Sequence, residues 1–411
     1  MSFIDMFAAA LGAIQSDVIT VHDERCISVR NRNAHCARCA EACTSGCITL
    51  ADNQLEVDPG KCIGCGTCAT ACPTSAIEIV NPSDSELTDM VKDSIIATKG
   101  HPVITCAQAV GACGLKPVDA APAAVVLPCL GRVDESLLAG LAAYKSFDAT
   151  LACGNCDACA HTPGGILACD VVESAQSLVR AFGSPMTIEV VEGLPERVAS
   201  EAQAANETGN AHRGGLSRRD ALRNAKEQGR QAAQAAVRQE LDEHLGASPE
   251  DVEVPAAYRK VGANGTLSHY VPTRRTRLYN YLRHIGAGQP VVESVESRVI
   301  GAVSIDANAC TSCRMCAVFC PTGAIEKLGE PADAKFGVVH RPAACMQCRL
   351  CESICPAHAI HVSGSVPTAQ FMGKQAVVFP MQKPEWTPNT PTSMFDKIHA
   401  AIGQDVHMSS F

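Results

Sequence analysis

Residues 310–325 read CTSCRMCAVFCPTGAI, and this stretch decides the fold because the chain repeats it. Residues 62–77 read CIGCGTCATACPTSAI, and residues 345–360 read CMQCRLCESICPAHAI. Each copy has the pattern C-x2-C-x2-C-x3-C-P. The proline has no N–H group and suits the start of a new turn. An internal repeat of this kind indicates duplicated structural units.

The composition narrows what these cysteines can do. The chain has 411 residues, of which 24 are cysteines, and its formal net charge is −9. That negative charge argues against nucleic acid as the main partner. No stretch approaches the roughly 18 apolar residues of a membrane span, and the first residues do not have the pattern of a signal peptide. We therefore expect a cytoplasmic protein, in which cysteines bind metal rather than form disulfides.

The repeated pattern resembles that of bacterial two-cluster ferredoxins. The resemblance implies that three closely spaced thiolates bind one [4Fe–4S] cluster and that the fourth binds the neighbouring cluster. A zinc ribbon would instead need two CxxC pairs. The implied ligands in the C-terminal half are Cys310, Cys313, Cys316 and Cys355 for cluster three, and Cys345, Cys348, Cys351 and Cys320 for cluster four.

The first cysteine motif departs from the repeat. Residues 39–48 (CAEACTSGCI) align with residues 68–77, the second half of the copy described above. This alignment places Cys43 at the position of the remote ligand and Cys47 at the position of an alanine.

One ligand of the first motif is missing, because the expected position is occupied by Asn33. We assign its role to Cys26, the nearest upstream thiol. Cys47 in place of Cys26 or Cys43 stays open as an alternative, and His35 could also act as a ligand. The predicted ligands are Cys26, Cys36, Cys39 and Cys72 for cluster one, and Cys62, Cys65, Cys68 and Cys43 for cluster two.

Residues 97–198 show a different pattern, in which three short apolar runs end in cysteine and a helical stretch, 134–144, follows the second. Alternating strands and helices predict a parallel α/β sheet, and ligands of such sheets lie at the carboxyl ends of the strands. We therefore expect a fifth metal site along one rim, with a zinc site or buried free thiols as alternatives. Its predicted ligands are Cys106, Cys129, Cys153 and Cys159, with Cys156 as an alternative to Cys159.

This middle region also resembles the iron–sulfur delta subunit of methyl-viologen-reducing hydrogenases that feed heterodisulfide reductase. The resemblance rests on residues 129–134 (CLGRVD), an apolar strand, and a cysteine-rich loop that ends in His161 and Gly164-Gly165. It implies a [2Fe–2S] cluster, with a [4Fe–4S] cluster as the alternative. Cys113 and Cys169 would lie outside this site.

The remaining segments contain no predicted ligand. Residues 199–295 are rich in basic side chains, including a helix that opens at Ser217 and the segment 272–283. We expect solvated helices that cover the ferredoxin units, with a docking arm for an acidic partner as the alternative. Residues 2–12 and 393–403 each predict a short amphipathic helix that needs a groove to bury its apolar face.

The predicted fold is α+β: two ferredoxin-like dicluster units, a small α/β domain with a parallel sheet and many cysteines, and a helical linker. The predicted divisions are 1–20 (N-terminal docking helix), 21–96 (first dicluster unit), 97–198 (α/β cysteine-rich domain), 199–295 (basic helical linker), 296–365 (second dicluster unit) and 366–411 (Pro-rich tail with a short helix).

These features favour a non-catalytic electron-transfer subunit of an anaerobic oxidoreductase complex. It would carry four [4Fe–4S] clusters and a fifth iron–sulfur centre between redox partner subunits, such as a flavoprotein, a hydrogenase or a molybdopterin enzyme. The sequence contains no dinucleotide-binding loop, P-loop or hydrolase motif. The alternatives are a catalytic middle cluster that reduces a disulfide or small substrate, and a redox sensor or scaffold.

Overall fold

The computed structural model describes residues 18–51, 53–210, 266–331, 333–372 and 375–383. The helices are α1 (Ile27–Arg30), α2 (Arg38–Glu41), α3 (Thr67–Ala71), α4 (Asp84–Ala97), α5 (Ala107–Ala112), α6 (Pro117–Ala120), α7 (Glu135–Ala143), α8 (Thr162–Ala181), α9 (Glu196–Asn210), α10 (Thr273–His284), α11 (Met315–Val318), α12 (Leu350–Ser353) and α13 (Thr368–Met372). The strands are β1 (Ile19–Val21), β2 (Ile48–Ala51), β3 (Gln54–Val57), β4 (Ile77–Ile79), β5 (Val103–Cys106), β6 (Ala124–Leu127), β7 (Asp148–Cys153), β8 (Thr187–Glu192), β9 (Ser294–Glu296), β10 (Ala302–Ile305), β11 (Ile325–Leu328), β12 (Gly337–His340), β13 (Ile360–Ser363), β14 (Ser365–Pro367) and β15 (Val377–Pro380). This mixture confirms the predicted α+β class.

The first ferredoxin unit, residues 18–80, consists of two antiparallel strand pairs with short helices between them. Strand β1 pairs with β4, so that Ile19 lies opposite Ile79, and β2 pairs with β3 in a hairpin. Alternation along the strands turns apolar side chains such as Ile77 and Leu55 toward the cysteines, with which they form one buried cluster. The small core therefore forms around the thiols themselves.

The second ferredoxin unit, residues 300–363, repeats this arrangement. Strand β10 pairs with β13, and β11 pairs with β12, both antiparallel. Strand β15 adds to the free edge of β12. Both units thus pair their first and last strands and place a hairpin between their two cysteine motifs, which is the two-fold layout expected from the repeat.

The middle domain contains a four-stranded sheet in the order β6-β5-β7-β8, and every neighbouring pair is parallel. Helices α4, α7 and α8 contribute apolar side chains such as Leu87, Leu138 and Leu178 to the largest buried cluster of the described residues. All nine residues of α7 are buried, and the Asp134 carboxylate caps the helix by accepting the Leu137 N–H at 3.0 Å. The predicted parallel sheet is present.

The basic helix α10 is not solvated, and the prediction of a solvent-facing helix is wrong for this segment. Arg275 and Arg277 are buried, and Leu278, Tyr281 and Leu282 belong to the core of the middle domain. The helix packs along α7, where the ring of Tyr281 lies 5.7 Å from that of Tyr144. Arg274, Arg275 and Arg277 bind groups inside the protein and are not available to an acidic partner, whereas Arg283 is exposed.

Three predicted helices lie outside the described residues. They are the short helices at 2–12 and 393–403 and the helix that opens at Ser217. In the part of the chain that is described, no helix is long and apolar enough to cross a membrane.

Candidate metal centres

Site one brings together Cys26, Cys36, Cys39 and Cys72. Cys26 precedes α1, Cys39 lies within α2, and Cys72 follows the end of α3. Burial raises the pKa of Cys26 to about 11 and that of Cys39 to about 12, and negative charge at Cys72 raises both further. These four thiols are therefore close neighbours, including Cys26, which the repeat pattern alone did not supply.

A serine fixes the loop that leads from Cys26 to the rest of site one. The Cys36 N–H donates to Ser28 Oγ at 3.1 Å, and the Ser28 hydroxyl donates to the Cys36 carbonyl at 3.0 Å. This pair of bonds closes the insertion between Cys26 and Cys36, as the proposed use of an upstream thiol requires.

Site two contains five thiols rather than four. Negative charge at Cys65, Cys62 and Cys43 acts on Cys68, and negative charge at Cys43 and Cys62 acts on Cys47. The Sγ atoms of Cys43 and Cys47 are 3.4 Å apart. Burial opposes ionisation of Cys43, but hydrogen bonds from Ser45 and Cys47 lower its pKa overall, whereas burial raises the pKa of Cys47 to about 12. The two thiols therefore interact directly, and ionisation of Cys43 opposes ionisation of Cys47.

A backbone hydrogen bond distinguishes Cys43 from Cys47. The N–H of residue i+4 donates to the sulfur of two remote ligands, from Ala76 to Cys72 and from Ala359 to Cys355, each at 3.3 Å. The N–H of Cys47 makes the corresponding bond to Cys43. The backbone after Cys43 thus resembles the backbone after Cys72 and Cys355, with Cys47 at the position of Ala76 and Ala359.

Sites three and four repeat the arrangement in the second unit. Burial raises the pKa of Cys310, and charge at Cys313 and Cys355 adds to the rise. In site four burial raises the pKa values of Cys345, Cys348 and Cys351, and charge at Cys320 contributes to each. The remote cysteine of each motif thus lies at the other motif's site, as the ferredoxin resemblance implies.

Left-handed residues shape three of the cysteine loops. Gly66 has φ of 78°, and the corresponding residues Arg314 and Arg349 have φ of 56° and 61°. Arg314 pairs with Glu330 at 3.5 Å and Arg349 with Glu352 at 3.4 Å. Both guanidinium groups are therefore bound to carboxylates, which offsets their charge near the thiols.

A single metal ion and a multi-iron cluster require different arrangements of thiols. Among the described residues, no three His, Cys, Asp or Glu side chains converge closely enough to hold one metal ion. Zn²⁺ would need ligand atoms at about 2.0–2.3 Å from a common centre. A cluster places each thiolate on a different iron and so accepts a wider set of ligands.

The middle site lies at the carboxyl edge of the parallel sheet. Cys106 and Cys153 end β5 and β7, and Cys129 follows β6 by two residues. These three thiols, with Cys156 and Cys159, line a cavity of about 280 Å³. The strand-end positions thus converge on one space, as parallel strands require.

Cys156 interacts with the three strand-end thiols of the middle site. Burial raises the pKa of Cys156 to about 12, and charge at Cys153, Cys106 and Cys129 contributes. Cys159 accepts the His161 N–H at 3.4 Å. Cys156 and Cys159 both line the cavity, so either thiol can complete the set with Cys106, Cys129 and Cys153. Cys169 is exposed on α8, and Cys113 does not line the cavity.

Two glycines allow the first turn of α8 to approach the middle site. A Cβ atom at Gly164 would lie 2.5 Å from Cys129 Sγ, and one at Gly165 would lie 2.8 Å from Cys156 Sγ. These contacts leave no room for a side chain. The Gly164-Gly165 pair was part of the resemblance noted above, and its physical role is to admit the thiols.

The middle site also contacts site two. Burial raises the pKa of Cys129, and negative charge at Cys65 adds to the rise. The Thr67 hydroxyl, which lies on α3 between Cys65 and Cys68, bonds Cys129 and lowers that pKa. A single threonine thus connects the two groups of thiols.

A buried ion network was not predicted from the sequence. Arg132 pairs with Asp84, while Arg277 lies 3.1 Å from Asp84 and 3.3 Å from Asp134. Arg274 bonds the same two carboxylates and donates to the Ala69 carbonyl of α3 at 2.8 Å. The neighbouring cations hold the pKa values of both aspartates low although burial opposes this. The network joins α10 to the first unit and the middle domain.

Two parts of the chain match known protein families. Residues 55–78 match the model described as 4Fe-4S binding domain. Residues 309–359 match the model described as 4Fe-4S dicluster domain. No curated protein matches the chain. The chain therefore contains two ferredoxin-type 4Fe-4S domains, and these support an iron–sulfur electron-transfer role.

Proposed function

We propose that the protein is an electron-transfer subunit of an anaerobic oxidoreductase complex. It would hold four [4Fe–4S] clusters at sites one to four and a fifth iron–sulfur centre at the middle site. One observation carries the proposal: four thiol sets of ferredoxin type lie in one chain, and a fifth set contacts the second of them through Thr67. When bound, such clusters supply one-electron transfer.

The residues around the sites fit this role. The proposed ligand thiols are buried or partly buried, and the left-handed loop residues and the i+4 N–H groups hold them in place before metal binds. Site one would be held by Cys26, Cys36, Cys39 and Cys72, and site two by Cys43 with the CxxCxxC loop that starts at Cys62. We assign the middle site to Cys106, Cys129 and Cys153, with Cys156 or Cys159 as the fourth ligand.

The partners would be redox subunits, in keeping with the resemblance of the middle domain to a hydrogenase delta subunit. A flavoprotein, a hydrogenase or a molybdopterin enzyme would each accept or supply electrons in single steps or pairs. The same resemblance favours a [2Fe–2S] cluster at the middle site. A cytoplasmic, hetero-oligomeric complex follows from this proposal.

A catalytic middle site is the second candidate function. The observation that favours it is the cavity of about 280 Å³, whose wall holds one thiol more than the four proposed ligands. Such a space would admit a disulfide or another small oxidant.

Iron content tests the main proposal. Full-length protein purified without oxygen should contain about 18–20 irons per chain and no stoichiometric zinc. Changing Cys106, Cys129 or Cys153 to Ser should remove one spectroscopic signal and leave the others. Cys169→Ser is the matched control, because this thiol is exposed and lies outside every site. About 8 irons per chain, or bound zinc, would refute the proposal.

A further inference from the structure

The two ferredoxin units meet where site one faces site four, and Tyr270 lies between them. The Tyr270 hydroxyl donates to the Thr74 carbonyl at 2.7 Å, two residues after Cys72 of site one. Its N–H donates to the Pro321 carbonyl at 3.0 Å, directly after Cys320 of site four. One buried residue therefore binds the chain next to a ligand of each site.

The Tyr270 phenol interacts electrostatically with one thiol of site one and one thiol of site four. Burial raises the pKa of its phenol well above the usual value, and negative charge at Cys72 and at Cys348 adds to the rise. The phenol consequently stays protonated and keeps its bond to Thr74. The guanidinium of Arg25 lies 5.5 Å from the centre of the ring.

Arg30 extends from the first unit toward the thiols of the second. Its Nη2 donates to the Ser268 carbonyl at 3.0 Å, and negative charge at Cys320 and Cys348 acts on its guanidinium. Its Nε is buried and has no hydrogen-bond partner among the described residues. A buried N–H without an acceptor is costly, and sulfur bound at site four would supply that acceptor.

An apolar layer surrounds this contact. Ile27 and Ala34 of the first unit pack with Leu350 and Ile354 of the second in one buried cluster. Cys36 and Cys348 lie at its edge. The layer keeps water from the space between the two sites and strengthens the electrostatic interactions within it.

We propose that Arg30 and Tyr270 form the junction through which the two ferredoxin units exchange electrons. This inference rests on the proposed function and adds an order to it. Since the middle site contacts site two through Thr67, the five sites form one row: middle, two, one, four, three. The two ends of that row, the middle site and site three, are then where redox partners would dock.

The first experiment changes Arg30 to Met in the full-length protein, reconstituted without oxygen and titrated by EPR-monitored potentiometry. Met keeps much of the apolar stem but removes the Nε–H donor and the positive charge, both of which favour the more negative, reduced cluster. One midpoint potential should shift downward while the iron content and the other midpoints stay unchanged. Arg32→Met is the matched control, because Arg32 is exposed two residues away, and it should shift none.

The second experiment changes Tyr270 to Leu, with Tyr281→Leu as a control at a buried tyrosine of the α7–α10 contact. After reduction by one electron per chain, rapid-freeze EPR should show slower redistribution between the units only in Tyr270→Leu. The magnetic interaction between units in the fully reduced protein should also weaken. If Tyr270→Leu does not retain iron, Arg30→Met decides the matter alone.

The outcomes separate the two proposals. Unchanged midpoints in Arg30→Met, with wild-type iron content, would overturn the junction and leave the electron-transfer role intact. A wild-type chain with about 8 irons would refute the electron-transfer role itself.

Discussion

Gly164→Ala should displace a thiol of the middle site. The new Cβ would lie 2.5 Å from Cys129 Sγ and 2.8 Å from Thr67 Oγ1, against an ordinary contact of at least 3.4 Å. One of the two groups must therefore move by about 0.9 Å, whereas a functional site tolerates displacements of only about 0.5 Å. Because Thr67 belongs to the loop of site two, the thiol has little freedom to yield in that direction.

The cost of the steric clash at Gly164 can be separated from the gain in helix propensity by making the same substitution at a second helical glycine, Gly111. Replacing Gly by Ala within a helix contributes about 1 kcal/mol of stability, and Gly111 in α5 has no atom within 4 Å of an added Cβ. Overpacking costs about 1–3 kcal/mol. Gly164→Ala should therefore be about 1–3 kcal/mol less stable than Gly111→Ala.

The assay combines denaturant unfolding with metal analysis of both variants. Gly164→Ala should lose the spectroscopic signal of the middle site and keep those of the four ferredoxin-type sites, while Gly111→Ala keeps all of them. Equal stabilities of the two variants together with an intact middle-site signal would refute this reading of the contact.

Three further predictions concern charges. Asp134→Ala should lower the free energy of unfolding by about 3–5 kcal/mol, because it leaves Arg274 and Arg277 without one of their buried carboxylate partners. The control is Asp148→Ala, which removes an exposed pair with His101. It should lower the free energy of unfolding by less than about 1 kcal/mol in the same denaturant titration. Burial raises the pKa of Cys26 from 9.0 to about 11, so in the metal-free protein this thiol ionises less readily in the folded state than in the unfolded state. The stability that it contributes below pH 9 should be lost between pH 9 and 11, and Cys26→Ala should lose less stability over that range. A parallel pH dependence of unfolding in wild type and variant would contradict this. Arg314→Gln and Arg349→Gln should leave cluster potentials nearly unchanged because Glu330 and Glu352 already pair with these arginines, and a large downward shift in an EPR titration would show that the pairing does not offset their charge.

The sequence predicted best what is decided locally. Cys310, Cys313 and Cys316 lie within seven residues, so their spacing alone determines that they share a loop. The same holds for the strands that end at Cys106 and Cys153, because a buried parallel strand is a short apolar run. The four-stranded parallel sheet followed from such runs.

What the sequence could not determine depends on contacts between distant segments. The approach of Cys156 and Cys159 to Cys129 depends on how the loop after β7 folds back, and the spacing of the two cysteines in the sequence does not distinguish them. The burial of α10 depends on Asp84 and Asp134, which lie about 140–190 residues earlier in the chain. A basic helix with acidic partners so far away has the same pattern as a solvated one.

The position of Tyr270 also sets a timetable for assembly during synthesis. Tyr270 follows Cys72 by 198 residues, and a ribosome adds about 5–20 residues per second. The thiols of site one are thus complete about 10–40 s before the residue that closes them from the other side is made. During that interval a cluster-delivery protein has open access to Cys26 and Cys36, and so does oxygen. A cluster inserted into site one during synthesis would therefore arrive before Tyr270 bonds to Thr74.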